Sequence, residues 1–440
     1  MVTISNNYKS VLKYVLLYFC AFFSSRFIYE YISDSLAKYE EYQLDEKYNK
    51  LSHDVLHRYD GIRRSSLLTG LKISSSSYND KILDEEYMGN AENVNGVLLM
   101  LVRNWELPYA LRSMRSLEDR FNHDYHYDWV FLNDVPFDDE FIEATTLMAS
   151  GTTKYALIPS SDWDRPDWID EEYFEQRLKD MEKQNIIYGS SKSYRNMCRF
   201  NSGFFFRQEI LDQYDYYFRV EPDVEYFCDF PYDPFQIMYQ EKKKYGFVIS
   251  IVEYQSIIPT LWKTVRDYIK IDQGRDIDTN TDLYGFITDW NDIRTPRSKV
   301  DSTDKYNNCH FWTNFEIGDL NFFRSEEYLR FFDYLDSTGG FYYERWGDAP
   351  VHSIAVTLLL KEDDIIHFDE IGYMHAPYFT IPQANYFQLK QRCINNYPED
   401  SRIDFAGISC LTRWWKHGPG KKFMKETYHL ARNDEFSIME

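Results

Sequence analysis

The feature that most constrains the fold of this chain is an alternation of apolar runs and amphipathic segments that begins at Val97. Residues 97–104 form a continuous apolar run that ends in Arg103 and Asn104, as in buried parallel strands. Residues 106–121 then place apolar side chains at helical spacing, and residues 128–134 and 152–159 are further strand candidates. This order predicts a Rossmann-like α/β sheet, whose ligand crevice lies beyond the carboxyl ends of the strands.

Two acidic residues follow a later strand candidate directly. Residues 216–220 are apolar and β-prone, and Glu221 and Asp223 come immediately after them. Two carboxylates separated by one residue can offer oxygens to a hard divalent cation. The same pattern is common in solvated turns, so the pair alone leaves both interpretations open. Residues 245–254 predict one more strand, with a helical stretch after it.

Composition and charge restrict the function. The chain has 440 residues with 44% hydrophobic and 27% charged side chains, which fits one large catalytic domain with a short N-terminal appendage. A formal net charge of −22 opposes binding to nucleic acid. A diphosphate ligand would need local positive charge from a metal ion or from a few arginines. P-loop, GxGxxG, HExxH and GxSxG motifs do not occur.

The N-terminal segment predicts attachment to a membrane. We expect a cytosolic tail at residues 1–9, a signal anchor at 10–27, a stem at 28–95 and a lumenal catalytic domain at 96–440. The apolar stretch is shorter than the roughly 20 residues of an average spanning helix, so a cleavable signal peptide is the alternative. In a secretory compartment, the five cysteines after Cys20 predict one or two disulfides and an odd thiol.

Five sequence blocks carry a resemblance to a known family. They are SYRNMCRFNSGFFF, YYFRVEPDVEYFCDFPYDPF, FWTNFEIGDLNFFRSEEYL, GGFYYERWGDAPVHSIA and IGYMHAPY. In order and spacing they closely resemble the signature blocks of the fungal KTR-type α-1,2-mannosyltransferases of the Golgi. The resemblance implies a GT-A-type fold, GDP-mannose as donor, Mn²⁺ as cofactor and transfer with retention. It also implies a single-pass type II Golgi protein that acts on glycoprotein glycans, including those of cell wall mannan.

The resemblance also implies a metal pair and a catalytic carboxylate. Glu221 and His375 match the family's Mn²⁺ ligands, although the family more often has HPP where this chain has His375, Ala376 and Pro377. Glu316 matches the proposed nucleophile. A retaining transfer proceeds through a covalent glycosyl intermediate or by a front-face route, and the sequence leaves both open. The structural alternatives are a hydrogen-bonded histidine for His375 and a helix-cap or ion-paired glutamate for Glu316.

The remaining predicted site residues bind the donor or its metal. They are Arg103, Tyr194, Arg195, Arg199, Asp223 and Asp348. The arginines would supply the positive charge that the acidic chain otherwise lacks, and Tyr194 and Asp348 match family residues at the sugars. Salt bridges to acids are an equal alternative for the three arginines. Trp346 and Tyr343 would stack on an acceptor mannose or serve as packing residues.

The predicted function is transfer of mannose from GDP-mannose to mannose on N- or O-linked glycans. Two alternatives stay open at this point. A mannosylphosphate transferase would use the same donor and leave phosphate in the product. A catalytically silent scaffold of the same fold is disfavoured because Glu221, Glu316, Asp348 and His375 occur together.

Overall fold

A seven-stranded mixed sheet forms the centre of the protein. The computed structural model describes residues 94–288, 305–382, 388, 391–394, 402–404 and 406–418. Its strands are β1 Gly96–Leu101, β2 Asp128–Asn133, β3 Thr153–Leu157, β4 Tyr216–Val220, β5 Val224–Tyr226, β6 Tyr245–Phe247, β7 Ser250–Val252, β8 Cys309–Phe311, β9 Phe315–Asp319, β10 Ile365–His367, β11 Tyr373–His375 and β12 Tyr378–Thr380. The large sheet has the order β10-β6-β9-β4-β1-β2-β3. Strand β9 runs antiparallel to both of its neighbours, β4 and β6.

Helices cover both faces of this sheet. They are α1 Leu107–Leu117, α2 His123–Tyr125, α3 Asp139–Met148, α4 Ser160–Trp163, α5 Glu171–Lys183, α6 Lys192–Gly203, α7 Pro234–Gln240, α8 Leu261–Asp272, α9 Tyr284–Ile287, α10 Leu320–Phe323, α11 Glu326–Ser337, α12 Gly340–Tyr343, α13 Asp348–Leu359 and α14 Leu411–His417. A π-helical turn, Glu118–Asn122, continues α1.

The alternation of side chains along β1 shows how the two faces are filled. Val97 and Leu99 belong to the core beneath α6, α11 and α13, whereas Leu98 and Met100 belong to the core beneath α1 and α3. Successive side chains of a strand point to opposite faces, so a strand between two helical layers must be apolar throughout. This is why residues 97–102 are all apolar.

The predicted strands β1 to β4 and the helix α1 are confirmed, and the α/β fold class with them. The single strand predicted for residues 245–254 is wrong. This segment forms β6 in the large sheet and β7 in a two-stranded sheet with β8. The apolar run continues across the change of sheet, because residues 248–249 are buried as deeply as the strands that flank them. Strand β9, which lies between β4 and β6, was not predicted.

A three-stranded sheet continues from the carboxyl end of β4. It has the order β12-β11-β5, and β11 pairs antiparallel with β5 so that His375 lies opposite Val224. Because Val224 follows Asp223 directly, this register brings the histidine to the acidic turn after β4. His375 and Glu221, which are 154 positions apart in sequence, are therefore brought to the same end of the sheet by the pairing of β11 with β5.

The N-terminal predictions fall on residues that the structure does not describe. The cytosolic tail, the anchor and the stem lie before residue 94, apart from the last two residues of the stem. Within the described ranges, no helix is both long enough and apolar enough to cross a membrane. The domain boundaries stay predictions.

Two disulfides and a buried thiol account for the five cysteines after Cys20. Cys228 pairs with Cys393 and Cys309 pairs with Cys410, while Cys198 is free and buried. The second bridge joins the start of β8 to the residue before α14, and its cysteines are 101 positions apart. The expectation of one or two disulfides with an odd thiol is confirmed.

Removing the Cys309–Cys410 bridge by a double change to serine should lower the free energy of unfolding by about 2–4 kcal/mol, because the unfolded chain regains the entropy of a long loop. Urea denaturation under non-reducing conditions measures the difference. Cys198→Ala, which breaks no bridge, serves as the control and should cost less. Equal unfolding midpoints for the double variant and the wild type would contradict the prediction.

Candidate active site

The site is organised around Arg219, a charged side chain in the middle of an otherwise apolar strand. Tyr217 and Arg219 are two residues apart on β4, so they point to the same face of the sheet. Glu316 lies directly opposite Arg219 on β9. The register between two central strands therefore places an arginine beside a glutamate in the interior.

Three carboxylates surround the Arg219 guanidinium. Its Nε and Nη2 lie 2.7 and 2.6 Å from Oε1 of Glu221, and its Nη1 lies 2.5 Å from Oδ2 of Asp348. The same Nη1 is 3.9 Å from Oε1 of Glu316. Burial alone would lower the pKa of Arg219, but the three carboxylates outweigh it and hold the pKa well above its usual value. Arg219 thus joins the predicted metal, sugar and catalytic residues in one cluster.

Glu316 is fully buried and receives hydrogen bonds on both oxygens. Tyr217 donates to Oε1 at 2.9 Å and Tyr245 donates to Oε2 at 3.0 Å. The Nδ1 atom of His352 lies 3.0 Å from the same Oε2. A small pocket opens beside this carboxylate. It is lined by Leu99, Leu101, Leu132, Asn201, Phe205, Tyr217, Arg219 and Glu316.

Asp348 begins helix α13 and is held ionised from two sides. Burial would raise its pKa, but the Arg219 guanidinium, His352 and a hydrogen bond from Thr313 together lower the pKa below the usual value. The Thr313 hydroxyl donates to Oδ2 at 2.7 Å. A carboxylate in the first turn of a helix is also favoured by the helix dipole. Asp348 is therefore a fixed negative charge.

The antiparallel pairing of β11 with β5 places His375 opposite Val224, near enough to Glu221 for the charge of that carboxylate to act on the imidazole. Burial lowers the pKa of His375 despite the opposing charges of Glu221 and Asp223, so the imidazole is neutral at neutral pH. Its Nδ1 is buried and has no hydrogen-bond partner. A neutral imidazole beside a carboxylate is a donor set that suits Mn²⁺. In the described part of the chain no group of three or more metal-ligating side chains occurs, so a metal held here would take its other ligands from substrate or water.

Tyr194 lies near enough to Asp348 to be affected by its charge, and Arg345 packs on Tyr194. The guanidinium of Arg345 lies over the Tyr194 ring, 5.0 Å from its centroid, and Tyr188 stacks on the same ring at 4.4 Å. Arg345 is only 7% exposed, and its Nε has no hydrogen-bond partner. No carboxylate of the described residues makes an ion pair with it. A buried guanidinium without a counter-ion is a candidate ligand for an anion.

Two predicted donor ligands have structural contacts instead. Arg195 is fully buried, and its guanidinium donates to the backbone carbonyls of Tyr342, Glu344, Ser191 and Gly189. Arg199 makes two parallel bonds of 2.8 Å to Asp336 and lies over the ring of Phe204. No hydrogen bond or ion pair joins either arginine to the acids around Arg219 within the described residues, although Nη1 of Arg199 is buried without a hydrogen-bond partner. For both arginines the structure supports the structural alternative.

Arg103 and Asp223 lie at the edge of the site. Arg103 follows β1 at its carboxyl end, where its side chain donates to the Ser193 hydroxyl. Asp223 is exposed, adopts a left-handed backbone with φ of 66°, and pairs with Arg112 at 2.7 Å. Asp223 is near enough to His375 to oppose the lowering of the histidine pKa. Their predicted roles at the donor stay predictions.

The aromatic residues predicted for the acceptor have different environments. Trp346 is buried and donates to Glu344 at 2.6 Å, so it is a packing residue. The Tyr343 ring is partly exposed and contacts Tyr173, and its hydroxyl accepts a hydrogen bond from the backbone of Asp170.

Three residues of the site, Arg219, Arg345 and His352, were not predicted from the sequence. A signal was present for Arg219, because an arginine inside an apolar strand that ends in Glu221 must find a buried partner. His352 lies one helical turn after Asp348, so both face the same side of α13. For Arg345 the sequence carries no comparable signal, because its lack of a counter-ion is visible only in three dimensions.

Comparison with known proteins places the chain in a family. The family model described as glycolipid 2-alpha-mannosyltransferase matches residues 61–418. The chain belongs to this family. It is 62% identical over 384 residues to the probable mannosyltransferase KTR2 of Saccharomyces cerevisiae, covering 87% of this chain and 90% of the relative. It is 45% identical over 343 residues to the alpha-1,2 mannosyltransferase KTR1 of the same yeast, covering 78% and 83%.

Solved structures of the family share the fold. The Mn/GDP form of core-mannan synthase A (CmsA/Ktr4) from Aspergillus fumigatus matches with a TM-score of 0.66 at 35% identity, over 75% of this chain and 86% of that chain. The GDP complex of mannosyltransferase Ktr4p from S. cerevisiae matches with a TM-score of 0.66 at 32% identity, over 83% and 91%. The predicted GT-A-type fold and mannosyltransferase class are confirmed, and the two alternative functions are not favoured.

Arg199→Met should lower the free energy of unfolding by about 3 kcal/mol, because it leaves the Asp336 carboxylate without its buried partner. Adding Asp336→Leu should restore part of the loss. Nucleotide affinity, measured by calorimetry on the folded variant, should stay within about threefold of the wild type because the pair makes no contact with the site. A folded Arg199→Met variant that no longer binds nucleotide would contradict this assignment.

Proposed function

We propose that this protein is a Mn²⁺-dependent, retaining α-1,2-mannosyltransferase that uses GDP-mannose and extends mannose on N- or O-linked glycans. The observation that carries the proposal is the Arg219 cluster, in which Glu221, Glu316 and Asp348 meet one guanidinium with His375 beside it. The names of the relatives support mannose as the sugar. The Mn/GDP form of the A. fumigatus relative supports the metal and the nucleotide.

The diphosphate of the donor must bind to a protein with a net charge of −22. Glu221 and the neutral imidazole of His375 would hold the metal, which offsets the phosphate charge when it is bound. The buried Arg345 guanidinium would donate hydrogen bonds to a phosphate of the donor. Because Arg345 has no carboxylate partner within the described residues, it keeps its positive charge available for the substrate.

The mannosyl group would lie on the side of the cluster that contains Glu316 and Asp348. Positive charge develops at the anomeric carbon when the bond to phosphate breaks, and a nearby carboxylate stabilises it. Asp348 is ionised and fixed by Arg219 and Thr313, which suits hydrogen bonding to sugar hydroxyls. The exposed Tyr188 ring, which stacks on Tyr194, offers an apolar face of the kind on which sugar rings pack, so we place the acceptor near it.

The predicted N-terminal anchor at residues 10–27 would place the catalytic domain in the lumen of the Golgi as a type II membrane protein. Its support is the sequence pattern, since these residues lie outside the described ranges. Two disulfides within the described residues support an oxidising compartment.

The purified full-length protein should release GDP slowly from GDP-mannose when Mn²⁺ is present, and EDTA should abolish the release. Glu221→Ala and His375→Ala should each weaken Mn²⁺ binding by about 100-fold, because each removes a ligand that a two-residue site cannot replace. The exposed Glu140 on α3 provides a control, and Glu140→Ala should leave Mn²⁺ affinity unchanged. Metal-independent release by the wild type would refute the proposal.

Arg345→Met should weaken the binding of GDP by about 10- to 100-fold, because a charged hydrogen bond to phosphate is lost. The binding of guanosine, which carries no phosphate, should not change. Calorimetry or saturation-transfer NMR measures both ligands. Arg199→Met is the matched control, since it also removes a buried arginine. Unchanged GDP affinity in Arg345→Met would exclude this residue as a phosphate ligand.

A further inference from the structure

The environment of His352 fixes the number of protons that it shares with Glu316. The imidazole is fully buried, and each ring nitrogen faces an acceptor. Nε2 lies 3.0 Å from the backbone carbonyl oxygen of Asn201, and Nδ1 lies 3.0 Å from Oε2 of Glu316. A carbonyl oxygen can only accept, so Nε2 carries a proton. The contact at Nδ1 then requires a second proton, either on the imidazole or on the carboxyl group.

The other neighbours of Glu316 favour the ionised carboxylate. Tyr217 and Tyr245 each donate a hydroxyl hydrogen bond to it, and Arg219 adds a positive charge at 3.9 Å. Hydrogen bonds to the charged form stabilise that form. The second proton therefore belongs on His352, which also lies one turn from the ionised Asp348 on α13.

We propose that His352 is a positioning residue that is held as an imidazolium and keeps Glu316 ionised and fixed beside the reacting sugar. The kinetic part of this inference rests on the proposed function, whereas the charge of the imidazole does not. The carboxylate carries three direct hydrogen bonds before substrate arrives, so it does not reorganise as positive charge develops at the sugar. Its role is that of a preorganised counter-charge.

The first test is spectroscopic and uses the full-length wild type. With ¹⁵N-labelled histidine, the resonances of His352 are assigned by their loss in His352→Gln among the 10 histidines of the chain. Both ring nitrogens should show the shifts of a protonated imidazolium at neutral pH. In Glu316→Gln, which removes the negative partner, the same ring should become neutral. A neutral imidazole in the wild type would overturn the proposal, whether or not the protein is a transferase.

The second test compares two donors to the same oxygen of Glu316. His352→Gln should lower kcat for mannosyl transfer by about 100-fold with little change in KM for GDP-mannose, because a preorganised charge is lost. Tyr245→Phe removes a neutral donor from the same Oε2 at the same distance and should lower kcat by less than about 10-fold. Melting temperatures show whether each variant is folded. If kcat fell equally in the two folded variants, His352 would act only as a neutral hydrogen-bond donor, and the inference would be overturned.

Discussion

The site depends on one guanidinium that three carboxylates share. Arg219 is the only residue that contacts Glu221, Glu316 and Asp348 together among the described residues, and these acids come from three different elements, the end of β4, the middle of β9 and the start of α13. Without a central cation, these three neighbouring acids, two of them buried, would repel one another or take up protons. The ion pairs of Arg219 therefore depend on the pairing of β4 with β9 and on the packing of α13 against the sheet.

The positively charged side chains in and near the cluster differ in their partners. Arg219 and His352 are paired with acids of the protein, so their charges hold the site together. Arg345 has no such partner in the described structure, and its charge is left for a ligand. Arg195 and Arg199, which the sequence makes equally plausible, are engaged by backbone carbonyls and by Asp336. The distinction between a structural and a ligand-binding arginine thus depends on the partner, which only the folded chain reveals.

The sequence predicts the parts of this fold that are set by local patterns. Strands β1, β2 and β4 are mostly apolar because both faces of the sheet are covered there, and α1 has helical spacing, so these elements were recognisable. The edge strand β3 is only partly buried and was recognised from its β-prone residues. Strand β9 was not, because Glu316 interrupts its apolar pattern and becomes tolerable in the interior only through donors from β4, β6 and α13. The resemblance of the motifs to a family identified Glu221, Glu316, Asp348 and His375, which the structure brings together. It identified neither Arg219, Arg345 nor His352, because their roles arise from contacts between distant segments.

The free thiol of Cys198 has a consequence for the formation of the covalent framework. Its side chain is fully buried on α6, and burial raises the pKa of the thiol far above its usual value. Thiol–disulfide exchange requires a thiolate that can reach a sulfur, and Cys198 offers neither charge nor access. Once α6 has packed, this cysteine is removed from the exchange reaction. The two native bridges can then form and persist in an oxidising compartment without a competing fifth sulfur from the interior.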